Sequence, residues 1–216
     1  MSRGSRDPAG RVDEICEGLR ALAPFDPICI SCGPGPAADR AAWQVAVDGL
    51  KRVARVAADL GLPIALEPLH ASMAPEWTCL TDMPSTIEML DAIDEPNTGI
   101  IYDVWHLWDT PDLLRHIREH APRIIGVHVN DHRDPTRSWC DRVLPGDGSA
   151  DVAAIFGALD DGGYEGWLEL EVFSDDGRFA EDFPDSLWRR DPVELIRAGR
   201  AQTLALWESR RSSLPG

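Results

Sequence analysis

Apolar positions along this chain alternate between two periods. Residues 11–22 carry Val12, Ile15, Leu19 and Leu22 at helical spacing, and Pro24 ends the run. Residues 27–32 (Pro-Ile-Cys-Ile-Ser-Cys) predict a strand, closed by the Gly33-Pro-Gly-Pro36 turn. A helix follows over 39–60, with Trp43, Val47, Leu50, Val53, Ala54 and Ala57 on one face and Gly61 as its cap. The same alternation then predicts strands at 63–69, 99–105, 124–129 and 167–173, and helices at 84–93, 111–120, 152–160 and 192–208. Strand–helix alternation of this kind implies a parallel sheet with right-handed crossovers. The domain plan is a polar leader over residues 1–10, expected to lack order, one domain over 11–211, and a tail over 212–216.

The later strands end in side chains that can bind a metal. Glu67 closes Ile-Ala-Leu-Glu, Asp103 closes Ile-Ile-Tyr-Asp, His128 lies in Gly-Val-His-Val-Asn-Asp131, and Glu171 lies in Leu-Glu-Leu-Glu-Val-Phe. Each alone reads equally well as a solvated or capping residue. Recurrence at successive strand ends argues for a shared counter-charge, because an unpaired buried carboxylate is costly. Oxygen and imidazole donors together suit one divalent ion, Mn²⁺, Mg²⁺, Co²⁺ or Zn²⁺. Glu169 and Glu171 share a face of their strand, and Glu171, nearer its C-terminal end, is the preferred ligand. Trp105, Trp108, Trp139 and Trp188 fall in or near strand-end loops, where rings either pack or cover a sugar's apolar face. His116 and His120 read as helix surface and partners of the helix C-terminal dipole.

Composition narrows the classes. The 216 residues can bury a real core, and a net charge of −16 speaks against a nucleic-acid partner held through phosphates. No apolar run reaches a membrane span, and the N-terminus has no apolar signal core, so no membrane partner and a cytoplasmic location are expected. Five cysteines in apparent strands and helices fit a reducing compartment, and the lone Cys29-x-x-Cys32 pair is a weak redox or zinc signal.

The ordered series Leu-Glu67-Pro, Tyr-Asp103-Val-Trp-His106, Gly-Val-His128-Val-Asn-Asp131, Asp141-Arg142-Val-Leu-Pro-Gly-Asp-Gly148 and Gly-Tyr164 through Glu171 resembles the xylose isomerase-like barrel superfamily. Within it, the chain is similar to the sugar phosphate isomerase/epimerase group, from about Cys16 to Trp207. The resemblance implies an α/β, (β/α) TIM-barrel-like fold, incomplete at the N-terminus with about five of eight βα units. It implies Glu67, Asp103, His128 and Glu171 as ligands of one divalent metal, with Glu67 and Glu171 as the acid/base pair. It also implies His106 and Arg142 as substrate contacts, with His70 a weaker third. The reaction implied is proton transfer beside a carbonyl through a metal-stabilised enediolate, on a sugar, sugar phosphate or related polyol. A dehydratase of keto-inositol or dehydroshikimate type would use the same proton abstraction.

Two departures stand out. The superfamily's abasic-site nucleases, as the resemblance has them, carry a histidine after Asp-Arg; here the residue is Val143, which cannot bind zinc. Three barrel strands are also expected upstream of residue 27, and without them the 27–32 and Glu171 strands are open edges. An upstream start, a homodimer that covers the edges, or a non-catalytic remnant acting as a binding protein would each account for this.

Overall fold

The computed structural model describes residues 7–179 and 181–210, and the chain divides into two compact units, Met1–Ile101 and Tyr102–Gly216. The first six residues of the leader and the tail lie outside the described residues.

In the first unit, helix α1 (Pro8–Leu22) starts earlier than its apolar period predicts, at Pro8 rather than Arg11. The Asp7 carboxylate accepts the Gly10 N–H at 2.9 Å, and Pro8 gives up no hydrogen bond at the first helical position. Strand β1 (Ile30–Cys32) is shorter than the predicted run, and α2 (Arg40–Asp59) follows with Asp39 as its cap. Val47, Leu50, Val53, Ala54 and Ala57 are buried on α2, the face that the sequence pattern marks. Gly61 lies one residue beyond the Leu60 cap, at φ +74°, a conformation a Cβ resists. Its N–H donates to Ala58, and that of Leu62 donates to Ala57, so the last carbonyls of α2 are satisfied.

Strand β2 (Ile64–Leu66) is followed by a short helix α3 (Ala74–Trp77) and by α4 (Met83–Ile93), which Asp82 caps through the Ser85 N–H. Strand β3 (Thr98–Asp103) carries the chain into the second unit. β1 pairs with β2 and β2 with β3, all parallel, with Ile30 opposite Ile64 and Ile64 opposite Thr98. β2 is buried along its whole length, as a strand covered on both faces must be.

The second unit opens with a correction. Val104 and Trp105, predicted as strand, form with His106 and Leu107 a one-turn helix α5 (Val104–Leu107). The Asp103 carboxylate accepts the Trp105 N–H at 2.7 Å and turns the chain out of the sheet. Helix α6 (Leu113–His120) leads to β4 (Ile124–Val129), as predicted, and then to two unpredicted short strands. These are β5 (Asp131–His132) and β6 (Arg142–Val143), paired antiparallel. Helix α7 (Val152–Asp161), strand β7 (Trp167–Leu170) and helix α8 (Pro192–Ser209) complete the unit. β4 and β7 are parallel, with His128 opposite Glu169. β7 stops at Leu170, so Glu171 lies just past its end.

Asp131 fixes the loop behind the site. Its buried carboxylate accepts the N–H groups of Gly146, Gly148 and Ala150 at 3.0, 3.1 and 2.9 Å. Gly148 has no alternative here, because a Cβ would fall 2.3 Å from Asp131 Oδ1 and 2.4 Å from the His132 carbonyl.

Candidate metal and active site

Asp103, at the end of β3, is fully buried and all its partners favour its anion. Oδ1 accepts from the Trp105 N–H and from Asn130 Nδ2 at 3.1 Å; Oδ2 accepts from Arg142 Nη1 at 2.8 Å and lies 3.6 Å from His128 Nδ1. Burial works to raise its pKa, but the Arg142 guanidinium, His128 and His106 outweigh that and hold the carboxyl well below the usual range.

Glu171 converges on the same point. Its N–H donates to the Val129 carbonyl at 3.1 Å, which continues the β4–β7 ladder and aims the side chain inward. Oε2 accepts from Arg142 Nη1 at 2.6 Å and is 3.5 Å from His128 Nδ1. Desolvation first, and then the Asp103 carboxylate, push Glu171 up to about 7. Two neighbouring carboxylates therefore have opposite tendencies, one held ionised and one poised near neutrality.

Arg142 is the resident cation of this cluster. It is 2% exposed, enters on β6 and is fixed there by its backbone N–H to the Phe173 carbonyl at 2.8 Å. Nη1 spans Asp103 and Glu171, Nη2 is 3.2 Å from His106 Nε2, and the guanidinium stacks over Phe173 at 4.9 Å and Trp105 at 5.3 Å. Trp105, 1% exposed, thus packs beneath the site rather than lining it.

His128 presents two distinct nitrogens. Nδ1 faces Asp103 and Glu171, while Nε2 faces Glu169 at 3.6 Å. A carboxylate behind an imidazole orients a ligating histidine, so Glu169 takes a supporting place beside the preferred Glu171. Asp103, His128 and Glu171 can each offer one ligand atom, all within 4.8 Å of one another. An oxygen–imidazole–oxygen set in which a guanidinium already bridges the two carboxylates fits a divalent cation.

Five of the seven predicted site residues, Asp103, His106, His128, Arg142 and Glu171, are therefore assembled in the second unit. The other two belong to the first. Glu67 lies immediately past β2, half-buried, with an oxygen accepting from Ser31 Oγ at 3.3 Å. His70 caps the turn at Ala71–Met73, with Nδ1 2.8 Å from Ser72 Oγ, a local structural partner.

The sequence pattern does not single out Asn130, and it marks Glu169 only as the lesser alternative to Glu171. Asn130 is two residues after His128 and so shares its face, a period-two signal that would have found it. Asp141 is bound by Arg133 and Arg137 at 3.0 and 2.6 Å, a buried structural anchor. The thiol of Cys32 is pushed up to about 11 by burial and then by Cys16 and Cys29, which keeps it protonated and unsuited to redox chemistry. No disulfide joins any of the five cysteines, all of which lie among the described residues. Among the described residues, no helix is long and apolar enough to cross a membrane.

A family model for the xylose isomerase-like TIM barrel matches residues 3–199. Among curated proteins, an inosose dehydratase from Geobacillus thermodenitrificans (strain NG80-2) is 30% identical over 148 residues, covering 62% of this chain and 48% of the relative. The chain thus spans about half the length of the curated relatives it matches. Among solved structures, the zinc-bound IolI protein aligns with a TM-score of 0.75 at 19% identity, over 98% of this chain and 74% of that one. An L-ribulose 3-epimerase aligns with a TM-score of 0.77 at 23% identity, over 96% and 71%. These likenesses fix the fold as α/β and TIM-barrel-like, with five parallel strands among the described residues against the eight of a closed barrel.

Proposed function

The chain belongs to the xylose isomerase-like TIM-barrel family, and on that premise we propose that it is a divalent-metal-dependent isomerase or epimerase of a sugar, sugar phosphate or related polyol. The observation that carries this reading is the convergence of Asp103, His128 and Glu171 on one point, with Arg142 and His106 beside it. Glu67 is the fourth ligand in this reading, on the family resemblance alone. The zinc atom in the IolI structure supports a metal at this kind of site without fixing which metal this chain takes.

The bound ion would supply positive charge beside the substrate oxygens as a proton leaves the neighbouring carbon. Glu171 takes that proton. With Glu67 as its acid/base counterpart, which this reading takes from the family resemblance, the proton returned reaches the other face and inverts the centre, or reaches the adjacent carbon and moves the carbonyl. Arg142 and His106 offer N–H donors to substrate oxygens, and Asp103 stays ionised as a ligand throughout.

A second reading follows from the inosose dehydratase relatives. The same proton abstraction, followed by loss of a β-hydroxyl as water, makes a dehydratase of a keto-polyol. One experiment addresses both. The metal-loaded protein is incubated in deuterium oxide with aldose, ketose and keto-inositol panels, alongside Glu171→Gln. Deuterium in recovered sugar that is lost in the variant supports the isomerase or epimerase. Water loss from the keto-inositol supports the dehydratase. Exchange unchanged in Glu171→Gln removes Glu171 from the mechanism, and a wild-type protein inert on every panel leaves a binding role.

A further inference from the structure

We propose a second transition-metal site, formed by His116, Glu119 and His120 on the last turn of α6. The sequence His116-Ile-Arg-Glu119-His120 places three donors at i, i+3 and i+4, the spacing that shares one helix face. Ile117 points the other way and is fully buried, so the donors lie on the outer side of the helix. The two imidazole rings are one turn apart, within 10° of parallel, with centroids 6.3 Å apart. One ligand atom from each of the three residues lies within 4.8 Å of the others, so small side-chain rotations bring them to a common ion.

Three features make this more than a polar helix face. His116 Nδ1 is shielded from solvent and makes no hydrogen bond among the described residues, so the ring's accessible lone pair is that of Nε2, the nitrogen beside Arg115. The site sits at the helix C-terminus, where unpaired carbonyls favour a cation. A cation already spans it: Arg115 Nη1 is 2.9 Å from Glu119 Oε2 and Nη2 is 3.3 Å from His116 Nε2.

That guanidinium is the competitor to displace. Arg115 is half exposed and its Nη2 also lies 3.7 Å from Asp112 Oδ2, a carboxylate to which it can retreat. Exposed pairs of this kind are weak because water and salt screen them, so exchange for a metal costs little. Two imidazoles and one carboxylate select Zn²⁺, Co²⁺, Ni²⁺ or Cu²⁺ over Mg²⁺ and Ca²⁺, which prefer all-oxygen shells. The remaining coordination positions face water, as expected of a binding rather than a catalytic site.

The test is zinc stoichiometry. The full chain is stripped with chelator, dialysed against Zn²⁺ and analysed for bound metal as wild type, as His116→Ala/His120→Ala, and as His128→Ala/Glu171→Gln. Two zinc ions in the wild type and one in each double variant is the expected result. If the proposed catalytic centre binds none, the wild type holds one ion and only the α6 variant loses it, so the two sites fail separately. Arg115→Ala, an exposed change that leaves the fold intact, should tighten α6 binding about two- to fivefold by removing the competitor. Zinc content unchanged in His116→Ala/His120→Ala, or affinity unchanged in Arg115→Ala, overturns the site.

Discussion

The second unit contains two groups of three metal-capable donors, each with an arginine among them, and they differ chiefly in depth. Around Arg142 the partners are an aspartate with no exposure and a glutamate about one-third exposed, and the guanidinium itself is 2% exposed. Around Arg115 the carboxylate partner is about half exposed, and so is the arginine. Similar donor types therefore carry different energies. A buried pair that loses one member leaves a charge without solvent, whereas an exposed pair hands its partner back to water. Within the inner group burial works to raise both carboxyl groups, but the Arg142 guanidinium, His128 and His106 keep Asp103 ionised while Glu171 is pushed up to about 7.

The comparison is tested most severely at Arg142. With chelator present, Arg142→Ala should destabilise the protein by about 3–5 kcal/mol, because buried Asp103 loses its guanidinium partner and keeps Asn130, backbone N–H groups and the neighbouring His128. Urea unfolding measures it. A saturating divalent ion should recover part of that loss if Asp103 and Glu171 are its ligands, and recovery is the sharper observation. A loss below about 1 kcal/mol would place the inner pair with surface pairs.

Next in size is the Asp131 clamp on the loop that follows Arg142. Gly148→Ala puts a methyl group against Asp131 and the His132 carbonyl, at separations that something must yield. A loss of about 1–3 kcal/mol is expected, with divalent-metal affinity changing as the loop that follows Arg142 shifts. Stability lost with metal affinity unchanged would separate this loop from the site.

Glu171→Gln is a smaller change with a sign that depends on pH. Glu171 titrates near about 7 in the folded chain against an ordinary 4.5, so the folded state favours its protonated form. The associated stability is fully present below about pH 4.5 and is lost as pH rises through 7. The neutral amide introduced by Glu171→Gln imitates the protonated form. In chelator the variant should melt about 2–4 °C above wild type at pH 8 and at the same temperature near pH 4.5. An equal shift at both pH values would mean that burial of the Glu171 charge beside Asp103 is not the cause.

Much of this arrangement was legible in the sequence. The strand ends were visible because an apolar run that stops at one polar side chain leaves a two-residue-period mark. Asp103, His128 and Glu171 all stood out this way. Element ends were less visible. Val104 and Trp105 favour strands by side chain, yet the Asp103 carboxylate captures the backbone N–H groups that follow and starts a helix turn. β7 ends at Leu170 rather than Phe173, which moves Glu171 from within a strand to just past it. The roles of Arg142 toward two carboxylates and of Asp131 toward three N–H groups depend on contacts 15 to 39 residues apart, beyond any local pattern. His116 and His120 read as ordinary helix surface, since a solvated face and a metal-binding face share one spacing.

The smallest expected effect completes the comparison. Arg115→Ala removes a guanidinium that lies beside Glu119, His116 and Asp112, as many polar side chains as Arg142 has in Asp103, Glu171 and His106, though Arg142 also stacks on two rings. All these outer charges remain in contact with water, and screening and side-chain entropy absorb most of their attraction. The stability of the metal-free protein should change by less than about 0.5 kcal/mol, and thermal melts in low and high salt should superimpose on wild type. If Arg115→Ala instead cost as much as Arg142→Ala, partner number rather than burial would govern both clusters, and the outer guanidinium would be a structural element too firmly held for a metal to displace.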